Sequence, residues 1–120
     1  MTSTLLASSA IERYLEHLAS DEFEEAAEQF TRDVVYYHPP NFEGVRRIDG
    51  RAELLEYFTD VRGPQDHDHE ITKRVDSDGK GAVVGTITGG KEDGGIFVAY
   101  AEMDGEEISY YVAGLNENPD

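Results

Sequence analysis

The order of its periodic segments constrains this chain more than any other feature of the sequence. Apolar residues recur at helical spacing in two stretches of the first 30 residues, which predicts two amphipathic helices. Val34–His38 then alternates as a short aromatic strand and is followed by two prolines. A third helical stretch begins near Gly50 and ends before Gly63, and the rest of the chain alternates as strands. This order predicts an α+β fold, with helices on one face of a mainly antiparallel sheet.

Capping and turn residues mark the ends of the predicted elements. Ser3 or Thr4 is a suitable N-cap for the first helix, and Asp21 is a suitable N-cap for the second. Asp78-Gly79 and Asp104-Gly105 predict tight hairpin turns. The predicted helices cover Leu6–Leu18, Phe23–Phe30 and Ala52–Val61, and the predicted strands cover Val34–His38, His67–Val75, Ala82–Thr88, Ile96–Met103 and Ile108–Leu115.

The charge of the chain excludes several classes of partner. Its 26 acidic residues against 10 Lys and Arg give a formal net charge of -16. Nucleic acids and anionic membrane surfaces require clustered Lys and Arg, so neither is expected as a partner. The acids are spread along all 120 residues, and we expect one folded domain over residues 1–120 with a solvated acidic shell. Such a shell is typical of proteins from a salt-loaded cytoplasm, with an ordinary acidic mesophilic protein as the alternative.

Cysteine usage and apolar run length bound the compartment. The sequence contains no cysteine, which excludes disulfides, thiolate nucleophiles and cysteine-based zinc sites. Its N-terminus carries no basic segment with a following apolar run, and no stretch approaches the roughly 20 apolar residues that span a bilayer. We therefore expect a soluble cytoplasmic protein.

The last two predicted strands are apolar on both faces. Helices can cover only one face of a sheet, and we expect a second copy of the chain to cover the other face in an isologous homodimer. In the first of these strands Ile96, Val98 and Tyr100 oppose Phe97, Ala99, Ala101 and Met103, and in the second Ile108, Tyr110 and Val112 oppose Tyr111, Ala113 and Leu115.

The element order, together with Tyr14 in the run IERYLEHL, resembles the nuclear transport factor 2-like superfamily. This superfamily includes the ketosteroid isomerases and the SnoaL-like polyketide cyclases, and the resemblance spans most of the chain. It implies a cone-shaped fold in which three N-terminal helices pack on a curved, mainly antiparallel sheet. It also implies a cavity between the two layers that holds a small apolar or carbonyl-bearing ligand.

The resemblance implies roles for three positions. In ketosteroid isomerases a helix-one Tyr donates to the substrate oxygen, an Asp ending the first strand moves the proton, and a second acid stays protonated. Tyr14 matches the donor, and the same interval counted without gaps places His38 where the base belongs. Alignment of the last hairpin at Asp104-Gly105 places Ala99 where the second acid belongs. One position is therefore kept, one is changed to a different base, and one is lost.

His38 is also a suitable general base on chemical grounds. Histidine titrates near pH ~6.5, and burial in an apolar wall favours its neutral, basic form. Val34, Tyr36 and His38 share one face of their strand by alternation. If that face looks at the helices, with Tyr14 opposite, a hydroxyl donor faces an imidazole, which suits enolisation or hydrolysis of a carbonyl compound. The cavity wall is then predicted to include Tyr36, Phe97, Ala99 and Met103.

A non-catalytic interpretation stays open beside this one. His38 can simply end a strand before Pro39, and Tyr14 can be an amphipathic core residue. The chain would then be a ligand-binding or dimerisation module with a vestigial pocket. Loss of the second acid removes an oxyanion donor, at a cost on the order of 100-fold or more in rate, which disfavours true ketosteroid isomerase activity.

Two further clusters carry weaker indications. His67 and His69 have the His-x-His spacing that metal sites use, but no third ligand follows at a fixed spacing. An exposed polar strand start explains them, and we predict no metal. The glycine-rich turns lack phosphate-loop spacing, and we predict no cofactor. Arg46-Arg47 and Arg51 could reach an anionic ligand at the cavity mouth or pair with surrounding acids.

Overall fold

The structure, a computed structural model, describes residues 5–41, 44–62, 68–89 and 93–116. Within these ranges, the side chains at positions 38–41, 44–46, 61–62 and 115–116 lie outside the description. The elements are α1 (Ala7–Ala19), α2 (Phe23–Ala27), β1 (Phe30–Asn41), β2 (Gly44–Asp49), α3 (Arg51–Glu56) with a π-helical continuation (Tyr57–Arg62), β3 (Asp68–Ser77), β4 (Lys80–Thr88), β5 (Ile96–Asp104) and β6 (Glu107–Asn116).

The six strands form one mixed sheet in the order β2-β1-β6-β5-β4-β3. Strands β1 and β6 pair in parallel, and every other neighbouring pair is antiparallel. The α+β class is therefore confirmed. The description of three N-terminal helices is only roughly right, because α3 follows β1 and β2 in the chain. No helix among the described residues is long and apolar enough to cross a membrane.

The end of α1 explains why the predicted cap of the second helix is wrong. Asp21 has a φ of 59° and lies just after the last turn of α1. Its N–H donates to Leu18 O at 3.1 Å, and Glu22 N–H donates to His17 O at 2.8 Å, which is the hydrogen-bond pattern of a Schellman motif. Asp21 thus ends α1, and Glu22 precedes α2 without a side-chain cap.

A residue distant in sequence caps α1. The helix begins at Ala7, and the predicted caps Ser3 and Thr4 lie outside the described residues. Asp76 of β3 accepts hydrogen bonds from the Ser8 backbone N–H at 2.9 Å and from Ser8 Oγ at 2.5 Å. This carboxylate satisfies free N–H donors at the helix start and fixes α1 against the sheet.

The first strand is longer than predicted at the expense of the second helix. Phe30, predicted to lie in the helix, belongs to β1 and pairs with Ile108 of β6. Aromatic and β-branched residues dominate the start of β1, and pairing with a central strand outweighs weak local helix preference. The prolines fall within β1 where its register to β2 is irregular, between His38 and Asn41. Strand β2 was not predicted. Ile48 is the one residue among its described side chains that is buried, so β2 shows little of the apolar alternation that identifies a strand.

A bulge corrects the predicted faces of β6. Met103 pairs with Ile108 while Glu102 pairs with Tyr110, so Ser109 is an extra residue on β6. The predicted alternation placed Ile108 opposite Tyr111, whereas both side chains are buried in the core. The faces predicted for β5 agree with the structure: Phe97, Ala99 and Ala101 are buried beneath the helices.

The other side of the sheet, here called the outer face, is apolar and uncovered in the single chain. Val98 is 47% exposed and Ile96 46% exposed, and Val75 and Val84 are exposed as well. Val84 and Val98 are direct cross-strand partners, so these side chains form a continuous surface. Half-buried Tyr37, Tyr100, Tyr110 and Val112 extend it across the central strands.

Candidate functional site

Two predicted site residues meet inside the fold. Tyr14 projects from α1 and is 1% exposed, and Tyr36 projects from β1 and is 4% exposed. Their hydroxyl oxygens lie 2.7 Å apart, a hydrogen bond in which either can be the donor. The helical spacing that turns Tyr14 inward and the strand alternation that turns Tyr36 toward the helices therefore bring the two phenols together.

Aromatic rings enclose this hydroxyl pair. The rings of Phe30 and Phe58 lie 4.9 Å and 5.8 Å from the ring of Tyr14. Tyr57 approaches Tyr36 at 6.4 Å. Tyr57 begins the π-helical turn after α3, and Phe58 follows it, so this widened turn delivers two rings to the cluster. The surroundings are apolar, which strengthens hydrogen bonds made inside them.

Tyr111 completes the cluster from the central strand β6. Its ring stacks on that of Tyr36 at 4.9 Å with an interplanar angle of 8°, and meets the ring of Tyr14 edge-on at 5.3 Å. Burial, and secondarily the neighbouring Tyr36, raises the pKa of Tyr111 well above its ordinary value. Tyr111 therefore stays a neutral hydroxyl at physiological pH.

The backbone of His38 lies near small residues. His38 pairs with Arg46 of β2, and its side chain lies outside the description. On the other side of β1 the pairing with β6 reaches Tyr37 and Val112, one position before His38 and Ala113. Ala113 in turn pairs with Ala99. Ala113 is only half-buried although β6 is a central strand, which leaves space above this row on the helix-facing side.

Phe97 and Met103 lie at opposite ends of β5. Phe97 is buried, pairs with Gly85 and meets the His69 ring edge-on at 4.7 Å. Met103 pairs with Ile108, which also pairs with Phe30 at the start of β1. The register therefore places Met103 near the start of β1, and its place in the cavity wall stays a prediction.

The remaining candidates have other surroundings. Arg47 lies on the outer face, where it pairs with Asp49 at 2.9 Å and covers the ring of Tyr37. Arg51 donates to Phe30 O at 2.9 Å and to Glu107 at 3.3 Å. Both arginines thus have protein partners. The side chain of Arg46 and all of His67 lie outside the described residues, and no three metal-binding side chains converge in the part of the chain that is described.

Two open clefts lined by described residues lie away from the aromatic cluster. One, of about 240 Å³, runs between α1 and the start of β3 and has Glu12, Glu16 and Asp68 among its lining residues. The other, of about 320 Å³, lies between the start of α1 and the Asp78-Gly79 turn. Neither includes Tyr14 or Tyr36 in its lining.

Sequence reasoning missed Tyr111 and Ala113 as site residues. Alternation along β6 predicts that Tyr111 and Ala113 share one face of the strand. That face was interpreted only as part of the packed core. The parallel pairing of β6 with β1, which is not apparent from a sequence of hairpins, brings Tyr111 beside Tyr36 and extends to Tyr37 and Val112.

The family profile of the SnoaL-like domain matches residues 11–113. A proposed ketosteroid isomerase from Kribbella flavida is 24% identical, with a TM-score of 0.73 over 93% of this chain and 78% of its own. An NTF2-like protein of unknown function from Burkholderia xenovorans is 14% identical, with a TM-score of 0.75 over 94% of this chain and 84% of its own.

An LEH-like epoxide hydrolase from M. tuberculosis is 17% identical, with a TM-score of 0.71 over 89% of this chain and 80% of its own. At these identities the similarity to solved structures establishes the fold alone. No curated protein matches the chain at a significant level. Because the family profile covers most of the sequence, the chain belongs to the SnoaL-like domain family and has a nuclear transport factor 2-like fold.

Proposed function

We propose that this protein binds a small, apolar, carbonyl-bearing ligand between the helices and the sheet, and acts on it with His38 as base and Tyr14 as donor. The buried hydroxyl pair of Tyr14 and Tyr36 is the observation that supports this proposal most. A hydroxyl that accepts a hydrogen bond is polarised and becomes a stronger donor to a third group. Tyr36 can act in this way on Tyr14.

The proposed reaction is proton transfer next to a carbonyl. The imidazole of His38 removes a proton from the carbon beside the carbonyl group, and the C–H electron pair moves to form an enolate. The hydroxyl of Tyr14 donates a hydrogen bond to the oxygen where negative charge develops. The imidazolium then returns the proton to another carbon, which completes an isomerisation. In a cyclase the enolate carbon would instead bond to a second carbonyl carbon of the same ligand, and the imidazolium would protonate the oxygen of that second carbonyl. In a hydrolase His38 would take a proton from water as its oxygen bonds to the carbonyl carbon, and the imidazolium would give that proton to the group that leaves.

The names of the solved relatives support a range of chemistries rather than one reaction. One is a proposed ketosteroid isomerase, another is a proposed polyketide cyclase, and a third is an LEH-like epoxide hydrolase. A shared fold hosts unrelated reactions, and the site must decide between them. Ala99 stands where a second acid would be expected, and this favours a reaction other than that of a ketosteroid isomerase.

A non-catalytic ligand-binding or dimerisation module is the second candidate. The near-complete burial of Tyr14 among four rings favours it, because a core tyrosine in a filled pocket would have the same surroundings. In this case Tyr14 and Tyr36 stabilise the fold, and neither hydroxyl acts on a ligand.

Binding of para-nitrophenol tests whether the Tyr14 hydroxyl donates to a ligand oxyanion, as the first candidate requires. Its ionised form is planar and carries one oxyanion, as an enolate does, and it differs in absorbance from the neutral form. We expect the wild type to bind the phenolate and Tyr14→Phe to bind it at least about tenfold more weakly, since hydrogen bonds to charged groups are the strong ones. Tyr110→Phe, a matched loss of hydroxyl on the outer face, should bind as the wild type. Equal affinity of wild type and Tyr14→Phe would leave the second candidate.

The outer face supports a homodimer formed through the sheet. We expect Val98→Glu to convert a dimer into a monomer in light scattering, because the carboxylate would be buried against apolar side chains of the second copy. Val98 is 47% exposed in the single chain, so the substitution should not unfold it. Leu6→Glu, which places the same charge on an exposed apolar residue at the start of α1 and away from the outer face, is the control. A monomeric wild type would refute the dimer.

The excess of acids supports a requirement for salt. Molar KCl shortens the Debye length to about 3 Å and screens repulsion between carboxylates. We expect the thermal midpoint to rise from dilute buffer to molar KCl. The rise should be smaller in a variant that neutralises three exposed acids, Glu25→Gln, Glu28→Gln and Glu106→Gln. Equal midpoints of the wild type in the two buffers would rule out a halophilic protein.

A further inference from the structure

The side chain of Tyr111 is buried as a whole, at 2% exposed, but its hydroxyl has no hydrogen-bond partner among the residues that the structure describes. The hydroxyls of Tyr14 and Tyr36, by contrast, share a hydrogen bond. Buried tyrosine hydroxyls normally find a partner, because an unpaired polar group in an apolar interior destabilises the fold. Among the described residues, the fully buried side-chain atom that lacks a partner is Thr31 Oγ1, so the Tyr111 hydroxyl is not sealed in the core and can meet an acceptor that arrives with a ligand.

The position of Tyr111 suits that role. It is the in-register neighbour of Tyr36 on the parallel strand β6, and the planes of the two stacked rings are almost parallel, with an interplanar angle of 8°. Side chains of in-register neighbours on one face of a sheet project the same way, so the two hydroxyls emerge on the same side. Tyr111 thus adds a third phenol to the pair formed by Tyr14 and Tyr36.

Tyr111 also lies near the position that lost its acid. It pairs with Ala101, and Ala99 is two residues away on the same face of β5. Such diagonal neighbours have Cβ atoms roughly 7–8 Å apart, within reach of a tyrosine side chain. The methyl group of Ala99 cannot donate a hydrogen bond, so a second donor to a ligand oxygen must come from a neighbour.

We propose that the Tyr111 hydroxyl donates a hydrogen bond to the oxygen of the bound ligand and replaces the acid that Ala99 lacks. This inference rests on the proposed function, because it assumes that the ligand oxygen lies among the phenols. The enclosed position of Tyr111 keeps its hydroxyl protonated, so the hydroxyl remains a hydrogen-bond donor. The negative charge then develops on the ligand oxygen and not on Tyr111.

The test measures the affinity of para-nitrophenolate for the full chain by its absorbance change. Tyr111→Phe keeps the ring stacked on Tyr36 and removes only the hydroxyl. We expect affinity to fall about tenfold or more, with an unchanged thermal midpoint, while the control Tyr110→Phe binds as the wild type. If Tyr111→Phe does not fold, 3-fluorotyrosine at position 111, a stronger donor of nearly the same size, should bind the probe more tightly than the wild type.

The outcomes separate this inference from the proposed function. Weakened binding in Tyr14→Phe together with unchanged binding in Tyr111→Phe would overturn the role of Tyr111 alone. Unchanged affinity of the fluorotyrosine protein would do the same. A wild type that does not bind the phenolate would overturn both the proposed function and this inference.

Discussion

Gly85→Ala is expected to lower the free energy of unfolding by about 3 kcal/mol or more, the upper range for overpacking a core. A Cβ atom at position 85 would collide with the backbone oxygen of Glu70 and would lie 2.5 Å from Cε1 of Phe97. The backbone oxygen belongs to the neighbouring strand β3 and cannot move without disturbing the pairing of β3 with β4. The ring of Phe97 lies against Gly85, so the added methyl group would also displace this ring from the predicted cavity wall.

Chemical denaturation measures this effect, with Gly114→Ala as the matched control. Gly114 is also inside a strand, but a Cβ there would meet only Cγ2 of Val98, at 3.3 Å. A small rotation of Val98 relieves that contact, and the change in the free energy of unfolding should stay within about 1 kcal/mol. Similar losses for both variants would show that Gly85 has no special packing role.

His38→Ala is expected to slow the reaction by about 100-fold to 10,000-fold, the range for loss of a general base. Because the substrate is not known, the suitable assay is exchange of hydrogen for deuterium beside the carbonyl of small cyclic ketones in heavy water, followed by proton NMR. Exchange reports enolisation whatever product finally forms. Tyr14→Phe should also slow exchange, because the enolate loses a donor.

His17→Ala is the control for this assay. His17 lies near the end of α1 and pairs with Glu22 at 2.9 Å, away from the phenol cluster. Its loss should leave exchange at the wild-type rate. If His38→Ala exchanges as fast as the wild type and remains folded, proton transfer by His38 is excluded.

Local patterns predicted the last four strands better than the helix ends. Alternation and turn residues located β3 to β6 within about two residues, since Asp78 and Gly79, with φ angles of 50° and 77°, form the tight turn their sequence favours. The end of α1 depended instead on Asp21 taking a left-handed conformation. Its cap depended on Asp76, 68 positions away from Ser8. The conformation of Asp21 and the cap from Asp76 both depend on tertiary structure, so residues nearby in the sequence do not predict them.

The site was predictable only where it depends on one element at a time. Helical spacing turned Tyr14 inward, and strand alternation did the same for Tyr36, so their meeting followed from the fold class. Tyr111 and Ala113 entered the site through the parallel pairing of β1 with β6, a non-local contact. The bulge at Ser109 also changed which β6 residues share a face, and a strict period of two cannot reveal it.

The most direct test of the proposed site is the response of the His38 ring to a bound ligand. The chain has four histidines, whose rings are observed in proton–nitrogen NMR spectra, and the signal that disappears in His38→Gln is that of His38. On saturation with para-nitrophenol, we predict that the ring signals of His38 shift while those of His17 stay in place. A bound probe that leaves the His38 signals unchanged would contradict the proposal that His38 and the phenol cluster form one site.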